Sequence, residues 1–270
     1  MTMRIDPDFS TAVVLIACHK DSPALLRTLA SVRRESEDIP VLIVDDGAPE
    51  PLAHYADDPK VEVLRLDRNQ GLTRALNAGL KRVFELDYSF VCRIDAGDEN
   101  VPGRLREQLA YLKAHPDIWL VGSWADYVDV ATGRTLFPYQ PPAKADEVNR
   151  VLYRNSCVAH PTWMVRSALF SEIGLYDESF AVAQDYEFLR RAVASGFKIG
   201  NVPMVLLKYQ VDPKGISLSR RREQLLARLR VQWRHRRPFA ANKVTGMVMT
   251  IALLAIPYRV IAIFKQRVRA

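Results

Sequence analysis

An α/β fold is predicted for this 270-residue chain: an open, mostly parallel sheet flanked by helices and followed by a C-terminal helical tail. Three features predict it. Apolar runs of strand length recur early, helical patterns separate several of them, and basic charge collects beyond Lys214. The runs are TAVVLIACH (11–19), VLIVDDG (41–47), VEVLRLD (61–67) and YSFVCRID (88–95), apolar enough for a sheet covered on both faces.

The helices between them follow from spacing and caps. DSPALLRTLASVRRE offers Asp21 or Ser22 as a cap and Pro23 in the first turn, with Leu25, Leu26, Leu29 and Val32 on one stripe. GLTRALNAGLKRVFE places Leu72, Leu76, Leu80 and Phe84 four apart, and PGRLREQLAYLKAH repeats the stripe with Leu105, Leu109 and Leu112. Residues 117–165 read as mixed, with a proline-rich bend, FPYQPP (137–142), and an apolar stretch, NSCVAHPTWMV (155–165). AQDYEFLRRAVASG reads as a helix with Leu189 and Val193 inward and Gly196 at its C-cap; NVPMVLLKYQV (201–211) reads as a last strand.

Composition sets bounds. The chain is 49% hydrophobic and 26% charged, which suits one large domain or one domain with an appendage. Cys18, Cys92 and Cys157 lie far apart, so neither a disulfide framework nor a zinc knuckle is indicated, and a reducing, cytosolic setting is the simple reading. MTMRIDPDFS lacks the apolar stretch of a signal peptide. From Lys214 onward, fourteen Lys or Arg face one acid, Glu223; that is +13 of a net +7 and leaves −6 for residues 1–213. An acidic body with a basic tail implies two surfaces with different partners, the tail's being a polyanion.

The strand ends carry the functional signal. In an open α/β sheet ligands bind beyond the carboxyl ends of the strands, where this chain has Cys18-His19-Lys20, Asp45-Asp46-Gly47, and Asp95 with Asp98. Neighbouring carboxylates repel unless a cation, or a ligand that carries one, joins them; a solvated turn is the alternative for each pair alone.

In order, VVLIACHKD, VDDG, RNQGLTRALNAGL, RIDAGDENVPGRL, NSCVAHP, GLYDESFAVAQDYEFLRR and VLLKYQVDPKGIS resemble the family-2 inverting glycosyltransferases of bacterial cell-surface glycan synthesis. The resemblance implies a GT-A, Rossmann-like catalytic domain over residues 1–218 and a UDP- or dTDP-sugar donor. It implies that the loop from Ala17 through His19 to Lys20 passes against the nucleotide base, and that Asp45 accepts a hydrogen bond from the base imide. RIDAGD stands at the family's DXD motif, so Asp95 would bind the ribose or, with Asp98, a divalent Mg²⁺ or Mn²⁺ that bridges the diphosphate. Gly97 replaces a usual acid there. Arg74 lies two residues before Leu76, where relatives carry the arginine, and would reach the donor from the first helical turn. Lys214 and Ser217 fall on a loop that covers the diphosphate, with Asp212 in place of a frequent His.

Asp185 matches the family's general base, which implies direct displacement with inversion at the anomeric carbon. Gln184 replaces the preceding Glu, and with His160 it would line the acceptor side. Without the resemblance, Asp185 reads as a first-turn acid and His160 as a core histidine.

The tail, 219–270, pairs Leu225, Leu226 and Leu229 with surrounding arginines and continues into GMVMTIALLAIPYRVIAIFKQRVRA. Its uncharged run is short for a spanning helix. It reads as a segment lying at an anionic membrane face, with Arg259, Lys265, Arg267 and Arg269 toward headgroups. Packing on the body or on a second copy in a homo-oligomer is the alternative. The expectation is thus a peripheral enzyme at the inner face of the cell membrane, acting on a saccharide or polyprenyl-linked acceptor. A rival reading, suggested by Gly97, Leu76 and Gln184, is a nucleotide-sugar-binding scaffold without catalysis. Nucleic acid is not an expected partner, because the basic run is interleaved with leucine rather than stacking aromatics.

Overall fold

The computed structural model describes residues 9–211, 220–236 and 241–255. Lys214, Ser217 and Asp212 lie outside the described residues, as do the tail cations from Arg259 onward.

The sheet starts as predicted. β1 (Ala12–Cys18), β2 (Val41–Asp45), β3 (Val61–Arg65) and β4 (Phe90–Arg93) pair in parallel in the order β3-β2-β1-β4. α1 (Pro23–Arg33), α2 (Leu72–Glu85) and α3 (Arg104–Ala114) cover its two faces. Ser22 caps α1 by accepting from the Leu25 N–H at 3.4 Å. Asp21, the other candidate cap, accepts instead from the Tyr55 hydroxyl at 2.7 Å.

Beyond β4 the sheet turns mixed. β5 is a two-residue strand, Glu99–Asn100. The region read as mixed supplies β6 (Ile118–Asp129), β7 (Thr135–Tyr139), α4 (Ala145–Leu152), β8 (Met164–Arg166) and α5 (Ser167–Ile173). α6 (Gln184–Ala194) and β9 (Lys198–Val211) follow where the sequence places them. The main path is β3-β2-β1-β4-β8-β6-β9-β5, with β7 attached to β6. β8 runs antiparallel to β4 and β6, whereas β9 runs parallel to β6. The first half of the proline-rich bend is therefore in an edge strand, where Pro138 is tolerated because β7 pairs only with β6.

Two apolar layers fill the faces. One, around Leu15, Val44, Leu76, Leu80, Trp163 and Phe188, lies beneath α2 and α6; the other, around Ile16, Leu25, Ile43, Leu105 and Leu109, lies beneath α1 and α3.

The tail forms α7 (Arg221–Arg234) and α8 (Ala241–Ala255). α7 docks on the body: Arg234 pairs with Asp177 at 2.7 Å, Gln232 Nε2 donates to the Arg154 carbonyl at 3.2 Å, and the Arg230 guanidinium lies 4.6 Å from the Phe180 ring centre. Arg221 ties α7 to α8 through the Leu253 carbonyl at 2.7 Å. Among the described residues no helix is long and apolar enough to cross a membrane.

Candidate active site

Parallel pairing brings the acidic strand ends to one edge. β1 lies between β2 and β4, with Cys18 opposite Asp45 and Leu15 opposite Arg93. Two interstrand steps separate β2 from β4, about 10 Å at the usual spacing.

Asp45 is 0% exposed, and its carboxylate is filled by the protein itself. Oδ1 accepts from the Ala48 N–H at 2.7 Å, while Oδ2 accepts from the Leu52 N–H at 3.1 Å and the Arg65 guanidinium at 2.5 Å. The expectation that Asp45 meets the base imide is corrected on this ground: a closed-over carboxylate holds the 45–52 loop instead. Asp46 is likewise buried and accepts from the Gln70 and Gly71 N–H groups at 2.7 and 2.9 Å, which fixes the entry to α2. Between them, Gly47 has φ +63°, and a Cβ there would lie 2.3 Å from the Arg68 carbonyl carbon, so only glycine fits. Ala17 is buried in β1 opposite Val44, whereas His19 and Lys20 are exposed in the loop beyond it.

At the end of β4 one acid is open and one is buried. Arg93, 3% exposed, pairs with Asp95, which is 37% exposed. Asp98 is 4% exposed; its Oδ1 accepts from the Gln210 N–H at 2.8 Å, and its Oδ2 is buried without a hydrogen-bond partner. Burial, then the Asp95 charge, pushes its carboxyl well above the ordinary carboxylate range. Gly97 adopts φ +114°, a conformation that an acid side chain would strain, so the departure at this position is built into the backbone. Thr28 locks the turn, accepting from the Gly97 N–H at 2.9 Å and donating to the Asp98 carbonyl at 2.7 Å.

An orphaned buried carboxylate oxygen beside a second, accessible carboxylate fits a divalent cation. Among the described residues no cluster of three or more His, Cys, Asp or Glu could hold one alone. Mg²⁺ or Mn²⁺ at such a pair takes its remaining ligands from phosphate and water.

Asp185 lies within electrostatic reach of this strand end. It stands in the first turn of α6, after Ala183 at φ +59°. Burial raises the pKa of its half-buried carboxyl; the Tyr186 N–H lowers it, Asp95 raises it and Arg93 lowers it. The charges of Asp95 and Arg93 thus reach Asp185, which sets the start of α6 near the end of β4. Gln184 beside it is buried.

His160 is 8% exposed and shares a 3.0 Å hydrogen bond with the Tyr176 hydroxyl through Nε2. Its ring meets Trp163 edge-on at 4.6 Å. Burial, then Arg93, pushes its pKa down to about 3, so it is neutral. The acceptor-side expectation for His160 is corrected: it is a core residue bonded to Tyr176.

Arg74, 55% exposed, pairs with Glu178 at 3.2 Å. Its neighbours on α2 hold the segment that leads to α6: Thr73 donates to the Phe180 carbonyl at 2.9 Å and Asn77 to the Tyr176 carbonyl at 3.0 Å.

The residue that the sequence reading missed is Arg93. Its signal is present, as the one charged residue inside the apolar run FVCRI just before an acid. A cavity of about 770 Å³, lined by Phe9, Arg34, Pro40, Lys60 and Arg106 among others, lies at the amino ends of β2 and β3 and holds none of these acids.

Comparison with known proteins agrees with the fold and the motif order. The Glycosyl transferase family 2 profile matches residues 13–174. A protein of Methanocaldococcus jannaschii named as an uncharacterized glycosyltransferase is 27% identical over 242 residues, covering 86% of this chain and 82% of its own length. The amylovoran biosynthesis glycosyltransferase AmsE of Erwinia amylovora is 24% identical over 77% of this chain and 79% of its own length. Among solved structures, S. aureus TarS residues 1–349 in complex with UDP superposes with TM-score 0.65 at 18% identity, over 89% of this chain and 70% of that one. The mannosyltransferase PcManGT of Pyrobaculum calidifontis, in complex with GDP-Man and Mn²⁺, gives TM-score 0.66 at 14% identity, over 90% and 69%. The sheet is the mixed α/β sheet of GT-A glycosyltransferases. The chain belongs to glycosyl transferase family 2, and it is an enzyme that transfers sugars.

Proposed function

We propose that the chain is an inverting transferase that moves a sugar from a UDP- or dTDP-sugar to a hydroxyl of a saccharide or lipid-linked glycan. The observation that carries this reading is the shared electrostatic space of Asp95, Arg93 and Asp185. Asp185 takes the proton of the acceptor hydroxyl; the acceptor oxygen bonds to the anomeric carbon as the bond to the diphosphate oxygen breaks, and the nucleoside diphosphate leaves. A single base on the acceptor face yields inversion.

Arg93 holds Asp95 in place, and Asp95 with Asp98 would hold a divalent cation, whose charge offsets that of the departing diphosphate. The UDP complex of TarS and the GDP-Man and Mn²⁺ complex of the mannosyltransferase support a nucleotide-sugar donor with such a cation. The name of the Erwinia amylovora relative supports a polysaccharide product.

Residues 219–270 are read as the membrane-association segment. α8 leaves Val244, Val248, Met249 and Ile251 exposed, and α7 adds Leu226 and Trp233, an apolar face among arginines that suits an anionic bilayer surface.

A panel of UDP-, dTDP- and GDP-sugars in a thermal-shift assay, with and without Mn²⁺, tests the donor reading. A bound donor raises the melting temperature. No shift with any of them at saturation contradicts it.

A further inference from the structure

At the outer end of the site, neighbouring strands set aromatic side chains in a row. Tyr127 on β6 lies opposite Phe137 on β7 and opposite Tyr209 on β9. The rings stack, with centroids 4.6 and 4.4 Å apart and planes tilted by 17° and 18°. Tyr139, two residues along β7 and so on the same face, meets Tyr127 edge-on at 5.7 Å. The row begins at the acidic turn. Glu99 pairs with Lys208 in the antiparallel β5–β9 register, so one further step brings Asp98 opposite Tyr209, and the 2.8 Å bond from Gln210 N–H to Asp98 Oδ1 closes that step.

Packing alone does not require this composition. All four rings are half-buried rather than enclosed, and the next rung sets Tyr139 against Ala125. Cross-strand stacking turns ring edges and hydroxyls away from the sheet. Burial raises the phenol pKa values of Tyr127 and Tyr139; Asp185 raises both further, and Asp98 raises that of Tyr127. The Tyr139 hydroxyl donates to the Ser156 carbonyl at 3.5 Å, and the row lies within electrostatic reach of the Asp98 and Asp185 carboxylates. Asp185 stands in the first turn of α6 within electrostatic reach of Asp95, Arg93 and these phenols, and an acceptor hydroxyl has to meet it from that space.

We propose that Tyr127, Tyr139 and the Tyr209–Tyr127–Phe137 row form the acceptor subsite, holding one uncharged sugar ring of the acceptor with its reacting hydroxyl toward Asp185. This rests on the transferase reading above. A sugar ring offers both C–H edges and hydroxyls, which aromatic edges with a few phenols can match. A phosphate at this place would need cations, and the carboxylates that bear on Tyr127 are those of Asp98 and Asp185.

The test uses the full chain with Mn²⁺ and two readouts: hydrolysis of UDP-glucose, UDP-galactose, UDP-N-acetylglucosamine and a dTDP-hexose without acceptor, and transfer from the same donors to a set of methyl hexosides. Tyr127→Phe and Tyr139→Phe each remove one hydroxyl, and Phe137→Leu opens the stack. The expected result is an acceptor KM raised about tenfold or more in each tyrosine variant, with donor KM and acceptor-free hydrolysis within about twofold of wild type. An unchanged acceptor KM, or a parallel rise in donor KM, overturns the subsite. Unchanged melting temperatures keep misfolding out of the comparison, and if Phe137→Leu alone loses stability, the two tyrosine variants decide. A wild-type chain that neither binds nor hydrolyses any nucleotide sugar contradicts the transferase reading itself, which separates the two failures.

Discussion

Asn77 on α2 holds both backbone groups of Tyr176: its Nδ2 donates to the Tyr176 carbonyl at 3.0 Å, and the Tyr176 N–H donates to its Oδ1 at 3.0 Å. The segment so held runs through Phe180 to the first turn of α6, where Asp185 stands. Asn77→Ala leaves both buried backbone groups unpaired and is expected to cost about 2–4 kcal/mol. Denaturant unfolding reads that loss. Transfer should fall more than nucleotide binding, because the displaced segment leads to the base and not to the strand ends.

Asp45→Ala separates the buried acid from a base-binding one. It strips partners from the Ala48 and Leu52 N–H groups and from Arg65, so a loss of about 2–4 kcal/mol and a melting temperature lower by several degrees are expected. UDP affinity of the folded fraction, measured by calorimetry, should change little. A selective loss of UDP binding with unchanged stability would restore the imide contact.

His160 gives a pH signature. Its pKa is pushed down to about 3 in the fold, whereas an unfolded His titrates near 6.5. Below the unfolded value the unfolded chain binds a proton that the folded chain refuses. This contribution to stability is therefore full above about pH 6.5 and is lost as pH falls toward 3, by up to about 1.4 kcal/mol per pH unit. His160→Gln should flatten this part of the stability–pH curve. A curve of unchanged slope would contradict the buried neutral assignment.

Asp98 should govern cation binding. Mn²⁺ with UDP is expected to raise the wild-type melting temperature above that with UDP alone, and Asp98→Ala should abolish the increment. An increment that survives this substitution would place the cation elsewhere.

How much of this was legible depends on what each residue interacts with. β1, β2, β3 and β4 are buried in the sheet, so local composition announces them. β6, IWLVGSWADYVD, mixes Gly, Ser and Asp among its apolar residues because it carries bulges and runs out to the site, and β7 carries a proline that reads as a bend. Asp45 shows the limit most clearly. A sequence shows that a carboxylate ends a strand, but not that Arg65 and two backbone N–H groups already occupy it. Arg93 was hidden the other way round, since a charge in an apolar strand gains meaning only when Asp95 and Asp185 are seen to share its field. Asp95 and Asp98 share the turn after β4, and the charge of Asp95 reaches Asp185 at the start of α6.

Asp185→Asn tests the center of this account most directly, because it removes the base while keeping the side chain's size. Transfer from the preferred nucleotide sugar, followed at saturating donor and acceptor, should fall by about 10² to 10⁴-fold, with the UDP dissociation constant within about twofold of wild type. Turnover that persists at the wild-type rate, in a variant that still binds UDP, would show that no proton passes through Asp185.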